Sequence, residues 1–193
     1  MADKKDGFDV LAFATPKAFN SWLKKNHAKA GGIWLRFYKK HSGIKTITYG
    51  EALDEALCFG WIDSIVNKYD EKSYIQKFSP RRSRSVWSKR NREHVARLTK
   101  EGRMSAAGRR QVDAAKKDGR WDAAYDSPEN MKVPDEFMRL LKKNKRAYDF
   151  YRTLNRANKY AVGYRLQTAK KEETRRKRMN AIIQMFSAGK KFH

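Results

Sequence analysis

The chain is poor in the residues and patterns from which many functional assignments begin. Its 193 residues include one cysteine, Cys58, so an intramolecular disulfide is impossible and a reducing, cytoplasmic location is expected. Unbroken apolar runs reach only a few residues, far below the ~20 that a membrane-spanning helix needs, so no membrane span is expected. The N-terminal segment MADKKDGFDV contains three aspartates and no apolar stretch, which predicts neither a signal peptide nor a transit peptide.

Patterns typical of catalytic and metal-binding sites are equally scarce. The sequence has no G-x-S-x-G, P-loop or G-x-G-x-x-G pattern. The histidines are scattered, at His27, His41, His94 and His193, and with a single cysteine no zinc-ligand spacing exists. His94 falls on an apolar helical stripe and Cys58 ends an apolar helix, which predicts a boundary histidine and a buried, inert thiol. We therefore expect no metal and no cofactor.

Positive charge is what the chain has in excess. Forty-five Lys and Arg residues against 21 Asp and Glu residues give a net charge of +24, and 12% aromatic content indicates a folded chain. More than half of the excess lies in residues 131–193, which hold 18 basic and 5 acidic residues. Such a charge attracts phosphates, acidic proteins or anionic surfaces, but it says little about the fold.

The hydrophobic pattern predicts an α+β N-terminal domain, which we place at residues 1–125. Three segments rich in β-branched and aromatic residues are predicted as strands, near residues 33–38, 61–68 and 73–79. The last two form a hairpin whose register places Val66 opposite Ile75 and Asp63 opposite Phe78. We expect these strands to form a small antiparallel sheet that is covered by helices.

Helix starts are marked by capping residues along the whole chain. The predicted N-caps are Thr15, Thr48, Ser105, Asn144 and Asn155. A helix is also predicted to begin at Ser85, with Trp87, Asn91, His94, Val95 and Leu98 on one stripe. Beyond an irregular segment at residues 120–133 all signals are helical. Residues 126–193 are therefore predicted to form an all-helical C-terminal domain.

The stretch FSPRRSRSVWSKRN, residues 78–91, is the most unusual local feature of the sequence. The first turn of a helix normally carries acidic residues, yet three arginines surround the predicted helix start at Ser85. Helix amides and guanidinium forks both bind phosphate oxygens. The stretch therefore predicts an anion-binding site, made of Arg81, Arg82, Arg84, Ser85 and Ser88. The alternative is that Ser85 only caps the helix and the arginines are solvated or paired with carboxylates such as Asp63.

Residues beside this stretch are predicted to form the wall of a pocket. These residues are Trp61, Asp63, Trp87 and Asn91. Asp63 is an acid within an apolar strand and Asn91 interrupts an apolar helix stripe, so each needs a polar partner if it is buried. We expect Arg81 or Arg82 to pair with Asp63. The alternatives are a structural polar network for the polar pair and a core position, rather than base stacking, for the tryptophans.

The last predicted helix carries a run of basic residues. They are Lys170, Lys171, Arg175, Arg176 and Arg178. A solvated helix face is the usual meaning of such a run. Its position in the most basic third of the chain also favours non-specific contact with phosphates.

Two parts of the chain resemble a known family. The run ALCFGWID…FSPRRSRSVWSKRN, followed by GRMSAAG, is similar to the N-terminal region of the YdeI/OmpD-associated family, also called bacteriocin-protection proteins. The run from VPDEFMRLLKKNKRAYDFY to TAKKEETRRKRMNAII resembles the helical C-terminal domain of that family. The resemblance implies a role in stress or bacteriocin protection, and it implies no catalytic residues.

These features predict a cytoplasmic, non-enzymatic protein that binds anionic partners. Nucleic acid or another phosphate-bearing ligand is the first choice, and an acidic protein partner is a further class. The alternative is an enzyme that acts on a small anionic substrate near Asp63, Arg81, Arg82 and Asn91, with Asp63 as the acid or base. The sequence leaves both classes open.

Overall fold

The computed structural model describes residues 3–192, and Met1, Ala2 and His193 lie outside the described residues. Within this range the chain forms one five-stranded sheet and eight α-helices, which confirms the α+β class. The strands are β1 (Lys4–Lys5), β2 (Phe8–Ala12), β3 (Ile33–Tyr38), β4 (Trp61–Lys68) and β5 (Ser73–Pro80). The helices are α1 (Pro16–Asn26), α2 (Tyr49–Cys58), α3 (Lys89–Lys100), α4 (Ala106–Lys117), α5 (Asp135–Lys142), α6 (Lys145–Thr153), α7 (Arg156–Gln167) and α8 (Glu172–Ser187). None of the helices in this range is both long and apolar enough to cross a membrane.

The sheet is mixed, which corrects the prediction of a purely antiparallel one. Its strand order is β1-β2-β3-β5-β4, and β3, β5 and β4 pair antiparallel as predicted. Strand β2, which the sequence did not predict, pairs parallel to β3 through the crossover helix α1. Its sequence FDVLA is short and contains an aspartate, and its pairing partner lies more than twenty residues away. No local pattern therefore predicts this strand.

A β-bulge interrupts the hairpin of β4 and β5. Asp63 pairs opposite Phe78 as predicted, but Val66 pairs with Gln76 and not with Ile75, because the register shifts between Asp63 and Val66. Ile65 and Val66 are 61% and 55% exposed. Register is strongly fixed only where one face is buried, so these exposed residues accommodate the extra residue of the bulge.

The structure divides the chain into two compact units. The N-terminal unit comprises the residues up to Ser85 together with Asn91–Trp121, and the C-terminal unit comprises Val86–Arg90 together with the residues from Asp122 onward. The division falls inside α3, between Arg90 and Asn91. The family-like domains placed at residues 1–125 and 126–193 stay a prediction.

The core of the N-terminal unit is built from aromatic and aliphatic side chains of the sheet and of the first two helices. Phe19 of α1 meets Phe78 of β5 edge-on with ring centroids 6.1 Å apart, and Trp22 meets Trp61 edge-on at 5.8 Å. Helix α1 packs on α2, and α2 packs on β4. The caps Thr15 and Thr48 accept hydrogen bonds from backbone N–H groups as predicted, and the Thr48–Glu51 capping box is complete.

The C-terminal unit has a separate apolar core made by α5, α6, α7 and α8. Its buried members include Phe137, Leu141, Val162, Leu166, Met179, Ile182 and Phe186. The caps Asn144 and Asn155 are confirmed, since each side chain accepts a backbone N–H bond at its helix start. The segment Val86–Arg90 joins this unit through Tyr125, whose N–H donates to Trp87 O at 3.0 Å and whose carbonyl accepts from Lys89 N at 2.8 Å.

Candidate functional site

The segment that was predicted to open a helix at Ser85 is a loop. Helix α3 begins at Lys89, so the predicted start at Ser85 is wrong. Ser85 closes a turn instead: its N–H donates to Arg82 O at 2.9 Å, and its Oγ accepts from Arg82 N at 3.1 Å. A serine hydroxyl that caps a turn competes with its use as a helix cap. Helix α3 therefore places no N-terminal amides at Arg81–Ser85.

We call residues Arg82–Ser85 the arginine turn, and its backbone is held at both ends. Arg81 N donates to Gly60 O at 3.0 Å, just before the turn. Arg120 Nη1 donates to Ser85 O at 3.0 Å, and Arg120 Nε in turn bonds both carboxylate oxygens of Asp118, at 2.8 and 2.7 Å. Arg120 is only 5% exposed, so this anchor lies in the protein interior.

The arginine turn exposes two guanidinium groups. Arg82 and Arg84 are both exposed, and within residues 3–192 neither side chain has an ion pair or a hydrogen bond. The other members of the predicted anion site are less accessible: Arg81 is 5% and Ser88 8% exposed, and Ser85 is half-buried. Ser88 also belongs to the C-terminal unit. Arg82 and Arg84 are therefore the members that an anion can reach from solvent.

Asp63 does not pair with an arginine, so that expectation is wrong. Its Oδ2 accepts a hydrogen bond from the Tyr49 hydroxyl at 3.0 Å and another from Gln76 Nε2 at 2.9 Å. No ion pair of the described part of the chain joins Asp63 to Arg81 or Arg82. Two neutral donors bond one oxygen of this half-buried carboxylate, which matches the structural polar network that the sequence left as an alternative.

The aromatic members of the predicted pocket wall are core residues. Trp61 is 1% exposed and its Nε1 donates to His27 O at 3.1 Å, while Trp87 is 2% exposed. Asn91 is 9% exposed and belongs to the N-terminal unit, whereas Trp87 belongs to the C-terminal unit. Buried indole rings present no face to a base, so neither tryptophan serves as a stacking platform.

Groups with catalytic potential are few in the described residues. Burial raises the pKa of Cys58 to about 12, with a smaller contribution from Glu55, so the thiol stays protonated and inert. His94 lies half-buried with its Nδ1 2.7 Å from Asp54 Oδ1. Residues 3–192 contain no group of three or more His, Cys, Asp or Glu side chains that is arranged to hold a metal ion.

Asp54 makes the stability of the N-terminal unit depend on pH. Burial raises the pKa of Asp54, but hydrogen bonds from Arg97 and His94 outweigh burial and hold it below its ordinary value. Because the folded pKa is the lower one, the carboxylate stabilises the fold above its unfolded pKa of about 3.9, and this stabilisation is lost as the pH falls through the folded pKa.

We expect Asp54→Asn to lower the free energy of unfolding at neutral pH by about 1–2 kcal/mol, because two charge-assisted hydrogen bonds are weakened. Urea unfolding at about pH 6 and about pH 3 checks this role, since the free energy of unfolding should fall less between these pH values in the variant than in the parent. If acid lowers the free energy of unfolding equally in both proteins, Asp54 does not have this role.

The predicted basic run divides into anchored and exposed residues. Lys170 and Lys171 precede α8, and with Arg176 they are exposed and have no carboxylate partner among the described residues. Arg178 Nη1 donates to Arg165 O at 2.6 Å and to Thr168 Oγ1 at 3.3 Å at the end of α7, and Arg175 lies 3.9 Å from Glu136. Three of the five residues, Lys170, Lys171 and Arg176, are therefore solvated, and the other two are anchored.

Comparison with known families covers most of the chain. Residues 11–111 match the model of a family described as a domain of unknown function, DUF8412, and this match spans half of the chain. The chain belongs to the DUF8412 family. Residues 130–189 match a second model, OmdA, described as "Bacteriocin-protection, YdeI or OmpD-Associated", which confirms the suspected family. No curated protein and no solved structure matches the chain.

The two matches divide the candidate residues between them. The DUF8412 segment contains the arginine turn, Asp63 and Tyr49, and the OmdA segment contains the basic run of α8. Arg120, which anchors the arginine turn, lies outside both matched ranges and was not predicted. Its contact with Ser85 joins residues 35 apart in a loop without periodicity, so no local signal marks it.

Proposed function

We propose that the protein is a cytoplasmic, non-enzymatic binder of anionic partners, and that nucleic acid binds at the arginine turn. One observation carries this proposal: two exposed guanidinium groups, without carboxylate partners in the described residues, stand on a turn whose backbone is held at both ends. Each guanidinium offers a planar fork of donors that fits phosphate oxygens.

Physical chemistry supports an extended polyanion as the partner. A fixed turn reduces the entropy that binding would otherwise cost. The net charge of +24 adds long-range attraction that raises the local concentration of phosphates. The exposed basic residues of the OmdA segment, Lys170, Lys171 and Arg176, add charge of the same sign. We further propose that this binding serves the protection named in the description of the OmdA family.

The enzyme alternative loses its main support. It required Asp63 as an acid or base beside Arg81 and Arg82, but Asp63 accepts hydrogen bonds from Tyr49 and Gln76. The acidic-protein alternative shares the chemistry of the arginine turn, and competition separates the two partners. A polyglutamate that displaces the nucleic acid at equal charge concentration favours an acidic protein partner.

Fluorescence anisotropy with labelled duplex DNA and single-stranded RNA tests the proposal. At low salt the parent protein should bind both, and Arg82→Gln with Arg84→Gln should weaken binding about tenfold, as expected when two exposed ion pairs with phosphate of about 0.7 kcal/mol each are lost. The matched control is Lys24→Gln with Lys25→Gln, which removes two exposed charges from the last turn of α1. Absence of binding by the parent, or an equal loss in the control, contradicts the proposal.

A further inference from the structure

A concave surface lies in the N-terminal unit, away from the arginine turn in sequence. It is a cleft of about 570 Å³ lined by the end of β3, the loop that follows it, the start of α2 and Tyr74 of β5. This volume lies within the range of about 300–1,000 Å³ that is usual for small-molecule sites. We call it the lysine–tyrosine cleft, after Tyr38, Lys39, Lys40, Lys45, Tyr49 and Tyr74.

The charge of the lysine–tyrosine cleft is positive. Three lysines line it, and no Asp or Glu is among its described lining residues. Lys40 and Lys45 are exposed and have no carboxylate partner within residues 3–192, while Lys39 Nζ donates to the Glu71 carbonyl at 2.9 Å. The neighbouring acid Glu51 is already engaged, since it accepts hydrogen bonds from Thr48 N and Oγ1 at 2.8 Å. This arrangement favours a ligand that carries a phosphate.

Aromatic rings form the other part of the lining. Tyr74 stacks on Phe37 with ring centroids 5.1 Å apart and planes inclined by 16°. The Tyr38 ring lies 4.7 Å from the Arg36 guanidinium carbon. Burial raises the pKa of the half-buried Tyr74. Each of the two ring contacts covers one face of a tyrosine ring, so a planar ligand ring can stack only on the other face.

Asp63 orients the third tyrosine of the cleft, Tyr49. The Tyr49 hydroxyl donates to Asp63 Oδ2 at 3.0 Å, and Gln76 Nε2 donates to the same oxygen at 2.9 Å. Tyr49 therefore has a set orientation where it lines the cleft. Asp63, which the sequence predicted in a pocket wall, is therefore bonded to a lining residue of the lysine–tyrosine cleft, which the sequence did not predict.

From this combination of lysines, tyrosines and shape, we infer that the lysine–tyrosine cleft binds a nucleoside monophosphate, with the phosphate at Lys40 and Lys45 and the base against the tyrosine rings. The chemistry of a flat ring with a phosphate also occurs in each unit of a single-stranded nucleic acid. A concave cleft of about 570 Å³ favours a small free molecule over an extended strand. The inference does not depend on the arginine turn.

Isothermal titration of the full chain with AMP, adenosine and ribose 5-phosphate tests the inference. We expect AMP to bind at least tenfold more tightly than adenosine or ribose 5-phosphate, because only AMP can contact both the lysines and the tyrosine rings. Lys40→Gln with Lys45→Gln should weaken AMP binding about tenfold, whereas the matched pair Lys24→Gln with Lys25→Gln should leave it unchanged. Equal binding of AMP and adenosine, or an equal loss in both pairs, overturns the inference.

A second variant and a second ligand complete the test. Ile44 lines the cleft and is 47% exposed, so Ile44→Glu places a carboxylate there without disturbing the core, and we expect it to abolish AMP binding. Duplex DNA binding is measured on the same proteins, so loss of AMP binding without loss of DNA binding, or the reverse, separates failure of this inference from failure of the nucleic-acid proposal. A short oligonucleotide that binds through Lys40 and Lys45 when AMP does not bind overturns the mononucleotide assignment.

Discussion

Arg103→Met is expected to lower the free energy of unfolding of the N-terminal unit by about 3 kcal/mol, because it leaves a buried carboxylate without its cation. That carboxylate is Glu55, which is 6% exposed. Its Oε1 lies 2.7 Å from Arg103 Nη2, and its Oε2 accepts from Asn20 Nδ2 at 2.6 Å. Breaking a buried pair from one side costs much more than removing both partners, since the remaining charge keeps its desolvation penalty.

Urea unfolding followed by tryptophan fluorescence measures this loss, because Trp22, Trp34, Trp61 and Trp121 all lie in the N-terminal unit. The control is Lys4→Met, which breaks the exposed Lys4–Asp9 pair and should cost less than about 1 kcal/mol. The double variant Arg103→Met with Glu55→Leu should recover much of the stability. If the single and double variants are equally destabilised, the buried pair is not the cause.

Gly108→Ala is expected to destabilise the same unit by about 3 kcal/mol, although alanine is ordinarily the better helix residue. A Cβ at Gly108 would lie 2.3 Å from the backbone oxygen of Cys58, and backbone does not give way as a flexible side chain does. The same Cys58 oxygen accepts from Ser105 N at 3.0 Å and Ser105 Oγ at 2.7 Å. Moving α4 to relieve the clash would therefore also disturb the hydrogen bonds at its start.

The control for this substitution lies in α2. At Gly50 a new Cβ meets no atom within 4 Å, so Gly50→Ala should raise the free energy of unfolding by about 0.5–1 kcal/mol through helix propensity alone. Thermal or urea unfolding of the two variants compares one substitution at two helix positions. A gain in stability at Gly108 contradicts the close approach of α4 to the end of α2.

The fold was predictable where the signal is local. The strands β3, β4 and β5 alternate or concentrate β-branched and aromatic residues, and caps such as Thr48 and Asn144 lie one residue before their helices. The parallel pairing of β2 was missed because it depends on a distant partner and not on its own sequence. Ser85 was misassigned because a serine before an apolar stripe predicts a helix cap and a turn cap equally well.

The site was predictable in its composition but not in its geometry. The arginine-rich segment stood out because three arginines are unusual at a predicted helix start. The contact of its anchor Arg120 with Ser85, and the hydrogen bonds that Tyr49 and Gln76 donate to Asp63, join residues 13 to 35 apart, so they form only in the folded chain. The lysines of the cleft were not predicted as a site, because basic residues occur throughout a chain of net charge +24 and one basic loop does not stand out.

The salt dependence of DNA binding by the parent and by Arg82→Gln with Arg84→Gln is the most direct test of the claim that the arginine turn contacts phosphates. For duplex DNA the logarithm of the binding constant should fall linearly with the logarithm of salt concentration, at about 0.9 per phosphate contacted. Loss of one phosphate contact per arginine should make the slope of the double variant shallower by about 1.8. Identical slopes for the two proteins would show that the arginine turn does not contact the phosphates.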